Sequence, residues 1–263
     1  MSYVKPEKIV ENMIEAGVNK SNLSIKDLLI RGILSGAFLG YATTLALTSI
    51  TQTGIGILGA IVFPVGFVMI ILLGLELATG NFALLPIAVK DKRTTFSKLI
   101  YNWSWVLFGN LVGSVFYAFL YYIVITKTGN IDPESVAVTK KIIAIANAKT
   151  HGYAQFGFDG TISAFTSAIL CNWMVTLGAV MALTSTTTIG KITAMWLPIM
   201  TFFALGYEHA IVNMFVIPAG ILLGADITIS EWWIYNEVPV LLGNIVGGVI
   251  FTGFALYFTA RKK

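Results

Sequence analysis

Gly206-Tyr207-Glu208-His209-Ala210-Ile211-Val212-Asn213-Met214-Phe215-Val216-Ile217-Pro218 is the stretch on which the fold turns. It sets a carboxylate, an imidazole and an amide inside an apolar run. An earlier run, Gly74-Leu75-Glu76-Leu77-Ala78-Thr79-Gly80-Asn81-Phe82-Ala83-Leu84-Leu85-Pro86, repeats the pattern. In both, Glu stands two residues after Gly, and Asn and Pro follow at five-residue intervals. Polar groups in an apolar segment are costly unless partnered, and proline disfavours a continuous helix. Interrupted hydrophobic segments at corresponding places in two halves of a chain point to the pathway of a membrane transporter.

Composition agrees. Of 263 residues, 56% are hydrophobic and 11% charged, with a mean hydropathy of +0.81. Soluble domains carry about 25% charged residues, so the chain reads as an all-α integral membrane protein. The single Cys171 excludes an intramolecular disulfide framework and a multi-cysteine metal site. The two histidines, His151 and His209, leave little for a metalloenzyme. The net charge of +4 is spread over the flanks of the apolar runs, which reads as membrane topology rather than nucleic-acid binding. Residues 1–25 are polar and amphipathic, unlike a signal peptide.

A membrane helix needs about 20 mostly apolar residues. Six transmembrane spans are expected, at about 28–49, 59–89, 101–125, 162–184, 192–223 and 238–259. The second and fifth are too long for simple spans and carry the Gly/Glu/Asn/Pro interruption. Each is read as two half-helices joined by an unwound stretch, tolerated at membrane depth only inside protein or along a cavity. Lys5, Lys8, Lys20, Lys26, Arg31, Lys90, Lys92, Arg93, Lys98, Lys191, Arg261, Lys262 and Lys263 fall on one side if the spans alternate. Both termini are then cytoplasmic. The connection 126–161 carries Lys127, Lys140, Lys141 and Lys149 on the other side and is long enough to fold over the outer mouth. Gly109-Asn110-Leu111-Val112-Gly113 matches Gly243-Asn244-Ile245-Val246-Gly247. Three spans per half, an odd number, make a 3+3 inverted repeat, 28–125 and 162–259, with its interruptions meeting near the midplane. Residues 1–27, with a helix at about 6–18, form an amphipathic N-terminal segment, 28–259 a single transmembrane domain, and 260–263 a short basic tail. Glycines at 32, 36, 40, 109 and 113 permit close helix packing.

Glu208-His209 is the sharpest chemical feature. His209 at a break is either a satisfied structural residue or a group that attracts an anion, gives it a proton, or both. Glu76 and Glu208 suit carboxylates that accept from free amides of an unwound segment. Thr79 offers a hydroxyl within reach of a midplane histidine. Asn110 and Asn244 are either interhelical amides or pore-lining donors. Phe63, Phe67 and Phe202 either narrow a pore or pack. Trp103, Trp105, Trp232, Trp233 and Tyr235, near span ends, read as an interfacial belt. No phosphate-binding loop, nucleophile elbow or metal-ligand cluster occurs.

These residues resemble the formate/nitrite transporter family over nearly the whole chain. Glu15-Ala16-Gly17-Val18-Asn19-Lys20 is similar to the end of its N-terminal helix, and Leu75-Glu76-Leu77-Ala78-Thr79-Gly80-Asn81 to its second-span loop. Ile169-Leu170-Cys171-Asn172-Trp173-Met174-Val175, the stretch 206–215 and Gly243-Asn244-Ile245-Val246-Gly247-Gly248 are similar to its fourth-, fifth- and sixth-span signatures. The resemblance implies an aquaporin-like fold, a homopentamer with one pore per protomer, and passage of formate, nitrite, hydrosulfide, acetate or lactate. It makes His209 the central histidine, Thr79 its partner, Asn244 the sixth-span asparagine, and Lys20 and Lys149 the vestibule lysines, with Asn213 and Glu208 beside the pathway. Phe63, Phe67, Phe202 and Ala78 fall at constriction positions. Ala78 stands where formate channels of the family often have phenylalanine, which widens one constriction. Lys149 lies farther from Asn172 than the family's outer lysine usually does.

The resulting expectation is a passive or proton-coupled plasma-membrane channel for formate-like anions, with no cofactor and no nucleic-acid partner, set in membrane lipid. A nitrite, hydrosulfide or acetate channel is the alternative within transport. An aquaporin-like neutral-solute channel would be expected to carry Asn-Pro-Ala at its breaks, and neither break does. A membrane-embedded enzyme lacks the ligands for a metal site.

Overall fold

A computed structural model describes residues 2–260. Met1 and the basic-tail residues Arg261, Lys262 and Lys263 lie outside the described residues. Among the described residues, four helices are long and apolar enough to cross a membrane: Ile25–Thr53, Phe96–Ile125, Gly157–Thr184 and Ile229–Ala260. In chain order the helices are α1 (Pro6–Ser21), α2 (Ile25–Thr53), α3 (Gly56–Val62), α4 (Pro64–Leu72), α5 (Ala78–Lys90) and α6 (Phe96–Ile125). They continue with α7 (Ala137–Lys149), α8 (His151–Ala154), α9 (Gly157–Met181), α10 (Thr188–Ala204) and α11 (Ala210–Leu222), and close with the helix Ile229–Ala260.

Local signals explain these boundaries. Pro6 opens α1, where its missing amide removes nothing. Ser24 accepts from Asp27 N at the start of α2, Thr95 from Lys98 N at α6 and Thr187 from Gly190 N at α10. Gly54, at φ 72°, closes α2. α1 turns Val10, Met13 and Ile14 onto Leu84, Ile87 and Ala88 of α5. It runs to Ser21, three residues past the expected end. The extended N-terminal segment pairs briefly with the loop after α9, Val4 N donating to Thr184 O at 2.9 Å and Thr186 N to Ser2 O at 3.0 Å.

Both interrupted segments break where Gly, not Pro, ends a helix. Residues 73–77 separate α4 from α5, and residues 205–209 separate α10 from α11. Gly74 (φ 64°) and Gly206 (φ 68°) adopt the left-handed conformation. The following amides reach back, Leu75 N to Ile70 O at 2.9 Å and Tyr207 N to Phe202 O at 3.1 Å, a helix-ending arrangement that needs no proline. Pro86 and Pro218, read from sequence as part of the interruption, lie inside α5 and α11. The connection 126–161 is largely helical, through α7 and α8.

The interior is polar at chosen points and the exterior apolar. Glu76, Asn81, Asn102, Asn110, Asn172, Glu208, Asn213, Asn236 and Asn244 are buried, while Phe108, Phe116, Val124 and Phe258 are exposed. Trp232 departs from the expected belt: it is buried and its Nε1 donates to Glu237 Oε2 at 3.0 Å. α2 and α6 approach at glycines, and a Cβ on Gly32 would lie 3.2 Å from the Gly109 Cα. A Cβ on Gly113 would run into the Ile33 carbonyl. Gly113→Val is therefore expected to lower folding stability by about 2 kcal/mol or more through overpacking, measured as thermal unfolding in detergent beside wild type.

Candidate functional site

The two breaks are held by the same set of bonds. At the first, Asn110 Oδ1 accepts from Ala78 N at 3.0 Å, and Asn110 Nδ2 donates to Glu76 O at 2.9 Å and Gly32 O at 2.8 Å. At the second, Asn244 Oδ1 accepts from Ala210 N at 2.9 Å, and Asn244 Nδ2 donates to Glu208 O at 3.0 Å and Ala168 O at 2.8 Å. Each asparagine thus replaces the helical partners that the unwound backbone has lost. Both amide protons of Asn244 are used on carbonyls, which makes it a staple of the second break.

The carboxylates are matched as well. Lys20 Nζ sits 2.7 Å from Glu76 Oε1, and Lys149 Nζ 2.8 Å from Glu208 Oε2. Asn81 Nδ2 donates to Glu76 Oε2 at 2.8 Å, and Asn213 Nδ2 to Glu208 Oε2 at 2.7 Å. The same two amide groups also donate to Asn102 Oδ1 at 2.9 Å and Asn236 Oδ1 at 2.8 Å. Asn102 and Asn236 then donate to the backbone carbonyls of Lys20 and Lys149, at 3.0 and 2.9 Å. The set around Glu208 carries extra donors: Tyr153 OH reaches Glu208 Oε1 at 3.0 Å, and Asn236 Nδ2 reaches Glu208 Oε2 at 3.2 Å. Lys20 and Lys149 are thus each one member of an ion pair with a glutamate that is 2–3% exposed.

Between the breaks, Thr79 and His209 meet. Thr79 Oγ1 lies 3.1 Å from His209 Nε2, with both residues buried. His209 Nδ1 accepts from Val212 N at 3.2 Å, so the imidazole caps α11. A neutral ring whose Nδ1 accepts must carry its proton on Nε2, and it donates to the Thr79 hydroxyl. Asn172 Nδ2 bridges the halves by donating to Thr79 O at 3.1 Å and Asn244 O at 2.6 Å. Phe202 lies nearly parallel to His209, ring centroids 5.6 Å apart.

Cavities flank this contact. The larger, about 360 Å³, is lined among others by Lys149, Tyr153, Phe202, Tyr207, Glu208 and His209. The smaller, about 20 Å³, is lined by Lys20, Phe67, Leu75, Leu77, Gly80 and Asn81 among others, and holds about one water. Phe67 and Phe202 thus lie on opposite cavities. Phe63 lines neither; it is fully buried, stacked on Phe203 with centroids 4.1 Å apart. Ala78 is buried with its amide on Asn110. Asn102 and Asn236 escaped the sequence reading, although each stands eight residues before its paired Gly-Asn asparagine. Tyr153, Leu75 and Leu77 carried no polar pattern that would single them out. Among the described residues no group of three or more His, Cys, Asp or Glu side chains converges on a metal position.

A buried donor pair between two cavities, framed by polar staples in an apolar helical bundle, defines a multi-pass membrane protein with a solute pathway. The chain belongs to the formate/nitrite transporter family, whose model matches residues 7–258. It is 36% identical to the formate channel BtFdhC of Bacillus thuringiensis, over 100% of this chain and 98% of that one. The solved structure of an FNT family ion channel superposes with a TM-score of 0.81 at 25% identity, covering 95% of this chain and 98% of that one. A pentameric formate channel with formate bound superposes with a TM-score of 0.69 at 26% identity, covering 89% and 96%.

The ion pairs yield a test of the frame. Lys149→Met leaves a buried carboxylate without its cation and is expected to cost about 3–5 kcal/mol. Adding Glu208→Gln removes the stranded charge, so the double variant should regain much of that loss. A double-mutant cycle on unfolding in detergent reads the coupling; additive losses would mean that the pair is not energetically linked.

Proposed function

We propose that this chain is a channel for small monovalent weak-acid anions, with formate as its best-supported substrate. The observation that carries the reading is the Thr79–His209 contact at 3.1 Å, where the two interrupted segments meet between the cavities. The named relatives conduct or bind formate and match over nearly the whole chain. The paired bonding at the breaks supports six spans arranged as a 3+3 inverted, aquaporin-like repeat, with broken second and fifth spans, within the single domain 28–259. Similarity to a pentameric channel supports a homopentamer with a pore in each protomer. The one-sided basic residues support plasma-membrane insertion with both termini cytoplasmic. The family's transport character supports a non-enzymatic role.

In this reading a bare anion is too costly at mid-membrane, and the pore supplies hydrogen bonds in place of water. The neutral His209 ring donates to Thr79 Oγ1, which leaves the hydroxyl hydrogen of Thr79 available to a carboxylate oxygen of the permeant. The ring can take a second proton only by breaking its Nδ1 bond to Val212 N. The geometry therefore favours His209 as a donor through Thr79 over an imidazolium relay. Phe67 and Phe202 exclude hydrated ions on either side. The small Ala78 favours a second reading within transport, passage of nitrite, hydrosulfide or acetate as well, which competition in one flux assay resolves.

Formate flux into proteoliposomes at several pH values tests the proposal. His209→Phe removes both the cap and the donor and should reduce flux about tenfold or more, the worth of one strong hydrogen bond. His209→Asn keeps a cap acceptor and a donor, and should retain most of the flux and its pH dependence. Wild-type flux in His209→Phe would remove the imidazole from the mechanism.

A further inference from the structure

The larger of the two cavities beside His209 and Thr79 holds one charge more than its frame needs. Its charged lining residues are Lys141, Lys149 and Glu208. Lys149 and Glu208 neutralise each other at 2.8 Å. No ion pair or hydrogen bond engages Lys141 among the described residues, and its side chain is only partly exposed. Lys141, Ile145, Ala148 and Lys149 line the cavity from one face of α7, as helical spacing requires. Lys141 therefore stands about 12 Å along the helix axis from Lys149, away from the buried glutamate.

The smaller cavity lacks this surplus. Its lining contains one cation, Lys20, already paired with Glu76. Eight residues before Lys20, where Lys141 stands relative to Lys149, the chain has the uncharged Asn12. The extra charge is thus no part of the duplicated frame.

We propose that Lys141 is the cation that gathers anions at the mouth of the larger cavity, an inference that rests on the channel reading above. Lys149, spent on Glu208, holds α7 to the break. An unpaired ammonium in a cavity with apolar walls concentrates a small anion by long-range attraction. It should act on the apparent affinity for the permeant and leave the passage past His209 unchanged.

The experiment is formate flux into proteoliposomes at low ionic strength with Lys141→Cys. Cys171, the one native thiol, is buried and out of reach of membrane-impermeant reagents. Lys141→Cys should raise the half-saturating formate concentration about fivefold, the worth of one unit charge at close range in water, with little change in maximal rate. A cationic methanethiosulfonate reagent should restore the wild-type value, and an anionic one should raise it further. In about 0.5 M salt the differences should collapse. Equal half-saturation in the wild-type, unmodified-cysteine and both modified forms, with formate flux intact, would overturn the role of Lys141 alone. Absence of formate flux in wild type would overturn the channel reading and this inference with it.

Discussion

Backbone that leaves helical geometry away from water must find its hydrogen-bond partners within the protein. Two five-residue stretches, 73–77 and 205–209, face this requirement among apolar helices. Asn110 and Asn244 meet it with one acceptor and two donors each, holding the amide that follows the break, the glutamate carbonyl before it, and a carbonyl of a neighbouring helix. An orphaned buried group costs about 1–3 kcal/mol, so loss of either asparagine strands several at once. Closing each α4- and α10-terminal turn on a left-handed glycine completes the break.

The carboxylates extend this frame outward. Glu76 and Glu208 draw lysines from helices outside the long spans, α1 and α7, and Asn102 and Asn236 accept from Asn81 and Asn213 while donating to those lysines' carbonyls. Each break is thereby bound to a surface helix by both side chain and backbone. Replacing an ion pair with apolar residues is often neutral, whereas removing one partner is severe. The frame therefore tolerates exchange of the pair far better than loss of half of it.

Much of this was legible in the sequence, because costly residues repeat at fixed spacing. The Gly/Glu/Asn pattern located both breaks, and Gly109-Asn110 with Gly243-Asn244 located their staples. The prolines misled, since a proline inside an apolar helix and one at its end look alike in one dimension. Lys20 and Lys149 were read for their charge at the mouths, and their carboxylate partners lie 56 and 59 residues away. Asn102, at the start of the expected third span, and Asn236, just before the expected sixth, carried no mark of their own, although the eight-residue spacing to Asn110 and Asn244 tied them to the repeat. Phe63 was grouped with Phe67 by its place before the first break and by the family resemblance, yet the turn between α3 and α4 directs it into the Phe203 stack.

The frame is duplicated and electrically paired, so the chemistry has to arise where the repeats differ. Ala78 and Ala210 occupy the same stapled position, which aligns Leu77 with His209 and Thr79 with Ile211. The donor pair therefore comes from non-equivalent places, a hydroxyl from one half and an imidazole from the other. His209 caps α11 through Val212 N, whereas Leu77 gives α5 no side-chain cap, leaving positive potential from the α5 amides on the smaller cavity. A strictly symmetric pore would bring two leucines or two capping histidines to the centre, giving either no hydrogen bond or two opposed Nε2–H donors. Divergence at these two positions turns a structural repeat into a directed hydrogen bond, Nε2–H to Thr79 Oγ1, which in the proposed channel leaves the Thr79 O–H for the permeant. His209 ends the second break and Thr79 stands in the first turn of α5, so in the proposed channel an anion shedding its water meets a donor whose orientation is already set.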